Sequence, residues 1–147
     1  MLQITVPAVE MWDESTETYI NTKETTLQLG HSLVSVSKWE SKWCKSFLSH
    51  TNKTYDETID YIKCMTLTRD VDPLVYYGLT NDNIEQINKY IAAPMTATSF
   101  SDKNGKGGRE IITSELIYYW MISQNIPFEC QKWHLNRLLT LIRVCNI

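Results

Sequence analysis

The chain has 147 residues, 43% of them hydrophobic and 21% charged, a composition that supports one buried core and excludes a disordered chain. Fourteen basic against seventeen acidic side chains leave a net charge of -3, which argues against a nucleic-acid binder built on clustered Lys and Arg. No apolar run approaches the roughly 18 residues of a membrane span, and the N-terminal MLQITVPAVE lacks the apolar core of a signal peptide. The unusual feature is aromatic: five Trp, eight Tyr and three Phe.

Residues 1–30 read as an antiparallel β-ribbon. Leu2, Ile4 and Val6 alternate with polar residues and Pro7 ends that strand. Residues 12–15 read as a turn, and residues 18–29, rich in Thr, Tyr, Ile and Leu, supply one or two further strands that close at Gly30. The period then changes. Val36, Trp39, Trp43 and Phe47 fall three and four apart, one face of a first helix capped by Ser32. Lys38, Lys42 and Lys45 lie on its other side, as a solvated face. TYDE at 54–57 is a capping box that starts a second helix, whose buried stripe is Tyr55, Ile59, Ile62 and Met65. Asp72 and Pro73 open a short helical turn carrying Leu74, Tyr76 and Tyr77, with Gly78 as its stop. Thr80 caps the next helix, where Ile84, Ile87 and Ile91 face inward until Ala93 and Pro94 end it.

Residues 94–112 are the least regular. A polar loop at 101–108 is flanked by 96–100 and 110–113, which are able to pair as a hairpin. Its GKGG run lacks the spacing of a phosphate loop. Residues 115–125 form a helix apolar nearly all the way round, expected at the centre of a core or beneath another subunit. Ile126 and Pro127 break it, and a last helix runs over 128–145 on a stripe of Leu135, Leu138, Leu139 and Ile142. The expected fold is α+β and predominantly helical: one domain over 1–147, with the ribbon at 1–30 and about five helices in 31–147. A small hairpin and flexible loop interrupt it near 95–112.

Chemistry is weakly signalled. Cys44, Cys64, Cys130 and Cys145 contain no C-x-x-C pair and read as free thiols in a reducing cytoplasm. Cys130 and His134, four apart, share a helix face, but a zinc site needs two more ligands. Only His31, His50 and His134 could act as imidazole bases, and none lies in a recognisable triad. The carboxylate pairs Asp13/Glu14, Asp56/Glu57 and Asp70/Asp72 sit at turns or helix starts, where capping accounts for them. The expectation is no enzyme, no metal and no cofactor.

Three segments carry a resemblance: KETTLQLGHSLVSVSKWESKW at 23–43, DYIKCM at 60–65, and IYYWM at 117–121 continuing through IPFECQKWHLNRLLTLIRVCNI at 126–147. Together they resemble a family of small tailed-bacteriophage proteins found among tail genes. In size and gene setting that family is similar to the tail assembly chaperones encoded beside the tape-measure protein. The resemblance implies a non-enzymatic morphogenesis protein in the host cytoplasm that binds the tape-measure or another tail protein, with homo-oligomerisation possible. The alternative is a structural subunit of the mature virion, in the tail or the head-tail connector. Family members are expected to continue past Ile147 into a basic tail. A holder of apolar helices needs exposed aromatic surface arranged as a groove. Trp39 and Trp43 on the first helix, and Tyr118, Tyr119 and Trp133 on the last two, are the candidate partner-binding residues, with core packing the competing role for each.

Overall fold

The computed structural model describes residues 1–50, 52–98 and 111–146. The hairpin and the polar loop expected around 95–112 rest on residues 99–110, which lie outside the described residues. The rest is α+β: N-terminal strands followed by helices.

Strand β1 (Leu2–Val6) pairs antiparallel with β4 (Thr25–Leu29), with Ile4 opposite Leu27; β2 (Glu10–Asp13) pairs with β3 (Thr18–Asn21). The ribbon is thus one long hairpin broken in the middle. Pro7 has no N–H for the ladder, and across the gap the Thr22 hydroxyl accepts from Val9 N at 2.9 Å while Thr22 N donates to the Val9 carbonyl at 2.8 Å. The inner sheet buries Ile4, Val6, Leu27 and Leu29, whereas the outer one is largely exposed. Trp12 belongs to β2, not to a turn. It faces Tyr19 across the ribbon, ring centroids 4.9 Å apart, a cross-strand aromatic pair that holds the tip.

Among the described residues five α-helices and two 3-10 turns follow. Helix α1 (Leu33–Trp43) starts on a capping box between Ser32 and Ser35. It stops at Cys44, which adopts the left-handed conformation at φ 54° and turns the chain away. Phe47 therefore lies beyond the helix rather than on its stripe. It reaches the core because the Glu40 carboxylate accepts from its N–H at 2.9 Å and from Ser114 N at 2.7 Å. Helix α2 (Tyr55–Met65) begins on the Thr54/Glu57 capping box. Tyr61, Ile62 and Met65 are its buried face, while Tyr55 in its first turn projects outward, 70% exposed.

The 3-10 turn Pro73–Gly78 is capped by Asp72 and leads through Thr80 into α3 (Asn81–Ala92). Gly78 packs on the β1–β2 connector, where an added Cβ would meet Val9 Cγ2 at 2.5 Å. No side chain fits there without moving the turn. Helix α4 (Ser114–Ser123) buries Ile117 and Met121 but leaves Tyr119 and Ile122 more than half exposed, so it is a peripheral helix with one bare apolar face, not a central one. The long last helix divides into a 3-10 turn (Phe128–Lys132) and α5 (Leu135–Cys145), whose cap is His134. That break takes Cys130 and His134 off a common helix face. His134 Nδ1 accepts from Asn136 N, and Nε2–H donates to the Tyr90 carbonyl at 2.7 Å, so both ring nitrogens are committed.

A hydroxyl–imidazole network ties α1 to α2. Ser35 Oγ–H donates to the Ser32 carbonyl at 2.8 Å, so it accepts from Tyr61 Oη–H at 2.9 Å. The 2.5 Å contact between Tyr61 Oη and His31 Nδ1 is then donated by the histidine, a tautomer assigned from the network. His31 is 2% exposed, and burial, with His134 beside it, holds its pKa down at about 3. The ring is neutral and structural.

Candidate protein-binding groove

An aromatic groove of about 290 Å³ runs between the end of α1, the outer face of α2 and the 3-10 turn at Pro73–Gly78. Trp43, Tyr76 and Tyr77 line it with Tyr55, Ile59 and Pro73. Each comes from a local rule already met. The Thr54 cap places Tyr55 in the first turn of α2, and Ile59 stands one turn further on. Pro73 at the start of its turn sets up Tyr76 and Tyr77. Adjacent residues on a helical turn cannot share a direction, so Tyr76 goes inward at 6% exposure and Tyr77 outward at 68%.

The inner walls are fixed by hydrogen bonds. Asp60, itself buried, accepts from Trp43 Nε1 at 2.8 Å with one oxygen and from Lys42 Nζ at 2.7 Å with the other. This hydrogen bond with Asp60 raises the Lys42 pKa. From behind, the Trp43 indole stacks on Trp39, with centroids 6.2 Å apart. Thr66 Oγ1–H donates to the Ile62 carbonyl at 2.9 Å, so the 2.7 Å bond to Tyr76 is donated by the phenol. Burial raises the Tyr76 pKa, and Lys63 Nζ lies 5.5 Å from its ring centroid. The two inner rings cannot turn without breaking these bonds. Tyr55 and Tyr77 stand on the rim, each about two-thirds exposed.

Two cations, Lys42 and Lys63, and two carboxylates, Asp56 and Asp60, also line the groove, so it carries no net charge. Among the described residues no serine, threonine, cysteine or histidine lines it. Rigid aromatic faces above a neutral floor are suited to apolar side chains of another chain: they offer large contact areas at low conformational cost.

The five aromatics singled out in the sequence do not form one surface. Trp39 is fully buried and donates its indole N–H to the Glu57 carbonyl at 2.9 Å, so it is a core residue that no partner can touch. Trp43 is half-buried and lies in the groove. Tyr118, Tyr119 and Trp133 are elsewhere, on α4 and at the start of α5. Tyr118 donates to Gln131 Oε1 at 2.7 Å and meets the edge of Phe128; Arg137 covers the Trp133 ring at 4.4 Å; Tyr119 is 62% exposed. Sequence reasoning missed Tyr55, which the helical period assigned to the buried stripe. The adjacent tyrosines at 76 and 77 require one of them to face outward, but adjacency does not say which, and neither Tyr77 nor Pro73 is among the five.

Among the described residues no group of His, Cys, Asp and Glu is arranged to hold a metal ion, and no helix is long and apolar enough to cross a membrane. No family model matches the chain, and neither a curated protein nor a solved structure matches it.

Proposed function

We propose that this protein is a non-enzymatic binding module of phage morphogenesis, a tail assembly chaperone whose aromatic groove holds an apolar segment of the tape-measure or another tail protein. The observation that carries the binding role is the groove itself. Two rings are locked by Asp60 and Thr66, and two more stand exposed on the rim where a partner would cover them. Preorganised aromatic walls reduce the ordering cost of association, and neutral charge admits segments of varied sequence. The identity of the partner rests on the resemblance of residues 23–43, 60–65, 117–121 and 126–147 to tail-gene proteins.

Co-expression with overlapping fragments of a tape-measure protein tests the reading. A fragment that co-purifies and shifts tryptophan emission at micromolar concentration supports it. A folded chain that binds none of the fragments at that concentration ends the chaperone role. Mass spectrometry of purified particles distinguishes the alternative: a chaperone is absent from the virion, whereas a structural subunit of the tail or connector is present in fixed stoichiometry.

A further inference from the structure

The opposite side of α2 carries a second groove, of about 410 Å³, which shares no residue with the first. Its walls are Ile62 on α2 and Ile84, Ile87 and Ile91 on α3, and Phe47 with Lys53 closes one part of it. The volume falls in the range of small-molecule clefts, about 300–1,000 Å³. Ile62 and Ile87 are buried and form the floor, while Ile84 and Ile91 are half-buried, so an apolar occupant would remove the remaining surface of the last two from water.

Lys53 is the unusual member. Its Nζ donates to the Phe47 carbonyl at 2.8 Å and to the His50 carbonyl at 2.6 Å, which uses two of its three hydrogens. It sits 4.2 Å from the centroid of the Phe47 ring. Among the described residues no carboxylate is within 4.0 Å of it. Glu57, which acts on it from beyond that distance, accepts from Lys45 and from the Thr54 N–H. Burial lowers the Lys53 pKa, an effect that the Glu57 charge offsets only in part. The Trp39 ring faces it as well, 5.8 Å away, so two aromatic faces meet the ammonium and one of its hydrogens is left without a carboxylate acceptor.

We infer that this groove binds an aliphatic carboxylate, its chain laid along Ile62, Ile84, Ile87 and Ile91 and its carboxylate accepting from Lys53 Nζ. A largely apolar trough with a single cation that no carboxylate among the described residues pairs within 4.0 Å selects an occupant with an apolar body and one anionic end. A neutral alcohol would leave the charge unmatched, and an amine would add a second like charge. The site shares no lining residue with the aromatic groove, and its assignment does not rest on the function proposed for that groove.

Titration of the full chain with octanoate, decanoate, decanol and decylamine, below their micelle-forming concentrations, tests the assignment. Methyl NMR of the isoleucines provides the readout. Decanoate should shift the signals of Ile62, Ile84, Ile87 and Ile91 and bind at least tenfold more tightly than decanol. Affinity should rise about fourfold for each added methylene, and decylamine should not bind. Lys53→Met, which keeps the apolar stem, should equalise acid and alcohol. Ile84→Trp should fill the groove and exclude both. Isoleucine signals that stay still up to millimolar decanoate would overturn the site. So would equal binding of decanoate and decanol by the unaltered chain, a comparison that needs no variant to fold.

Discussion

The two grooves flanking α2 are built on different principles. On one side four aromatic side chains surround a floor of balanced charge, and buried acceptors hold the inner two: Asp60 for Trp43 and Thr66 for Tyr76. On the other side four isoleucines meet one cation, and the polar members of the lining are Thr58, Asn88 and Tyr61, whose hydroxyl Ser35 and His31 hold from behind. The first surface has fixed shape and no charge preference, which suits segments of a protein partner. The second has one charge and adaptable aliphatic walls, which suits a small amphipathic ligand. Trp39 stands behind both. Its ring stacks on Trp43 and meets Phe47 edge-on at 5.3 Å, so one buried indole supports a residue of each groove.

Removing that shared support should have the largest effect. Trp39→Ala deletes a fully buried ring and leaves the Glu57 carbonyl without its donor, and should cost about 3–5 kcal/mol in urea unfolding. Both grooves should fail together; survival of either would show that they do not share this wall. Gly78→Ala separates them. The added methyl meets Val9 at 2.5 Å, so the turn carrying Tyr76 and Tyr77 must shift, at a cost of about 1–3 kcal/mol. Only the aromatic groove should be distorted, with the isoleucine methyl signals in place.

Acid should act from the other side, through the His31–Tyr61 pair behind the isoleucine groove. The unfolded chain takes up a proton on His31 near its ordinary pKa of 6.5, whereas the folded chain resists it down to about 3. Stability is therefore complete above pH 6.5 and falls as the pH drops through that window, by up to about 1.4 kcal/mol per pH unit for this proton. Burial lowers the His134 pKa as well and adds to the loss in the same sense. Urea midpoints at pH 7 and 5.5 measure it, and His31→Asn should flatten the slope. The smallest effect is expected where the chain turns from one groove to the other. Cys44 is exposed and left-handed at φ 54°, a conformation that glycine adopts without strain. Cys44→Gly should raise stability by up to about 1 kcal/mol, visible as a small rise in Tm with both grooves unchanged.

Much of the fold could be read along the chain because local rules decide it. The caps at Ser32, Thr54, Asp72 and Thr80 all fall where their hydroxyl or carboxylate pattern predicts. Two boundaries could not be read this way. Cys44 takes the left-handed stop that sequence assigns most readily to glycine, which ended α1 before Phe47. His134 caps α5 through its imidazole, an uncommon cap that left the final segment looking like one helix. The site was legible only in part. Aromatic excess pointed to a binding surface, but Trp39 and Trp43 follow one helical stripe, and only the stop at Cys44 and the Asp60 carboxylate, seventeen residues further on from Trp43, separate core from groove. The isoleucine groove had no signal at all. Its residues carry the pattern of an ordinary core stripe, and the gap between α2 and α3 is a tertiary fact.

The most direct test of the protein-binding account is the affinity of the double variant Tyr55→Ala/Tyr77→Ala for a captured tail-protein segment, measured by calorimetry beside the unaltered chain. Both side chains are about 70% exposed, so their removal should change the unfolding free energy by no more than about 0.5 kcal/mol each. If the rim tyrosines grip the partner, affinity should fall by at least about tenfold at unchanged stability. Equal affinity in the two proteins would contradict the account and move the binding surface away from this groove.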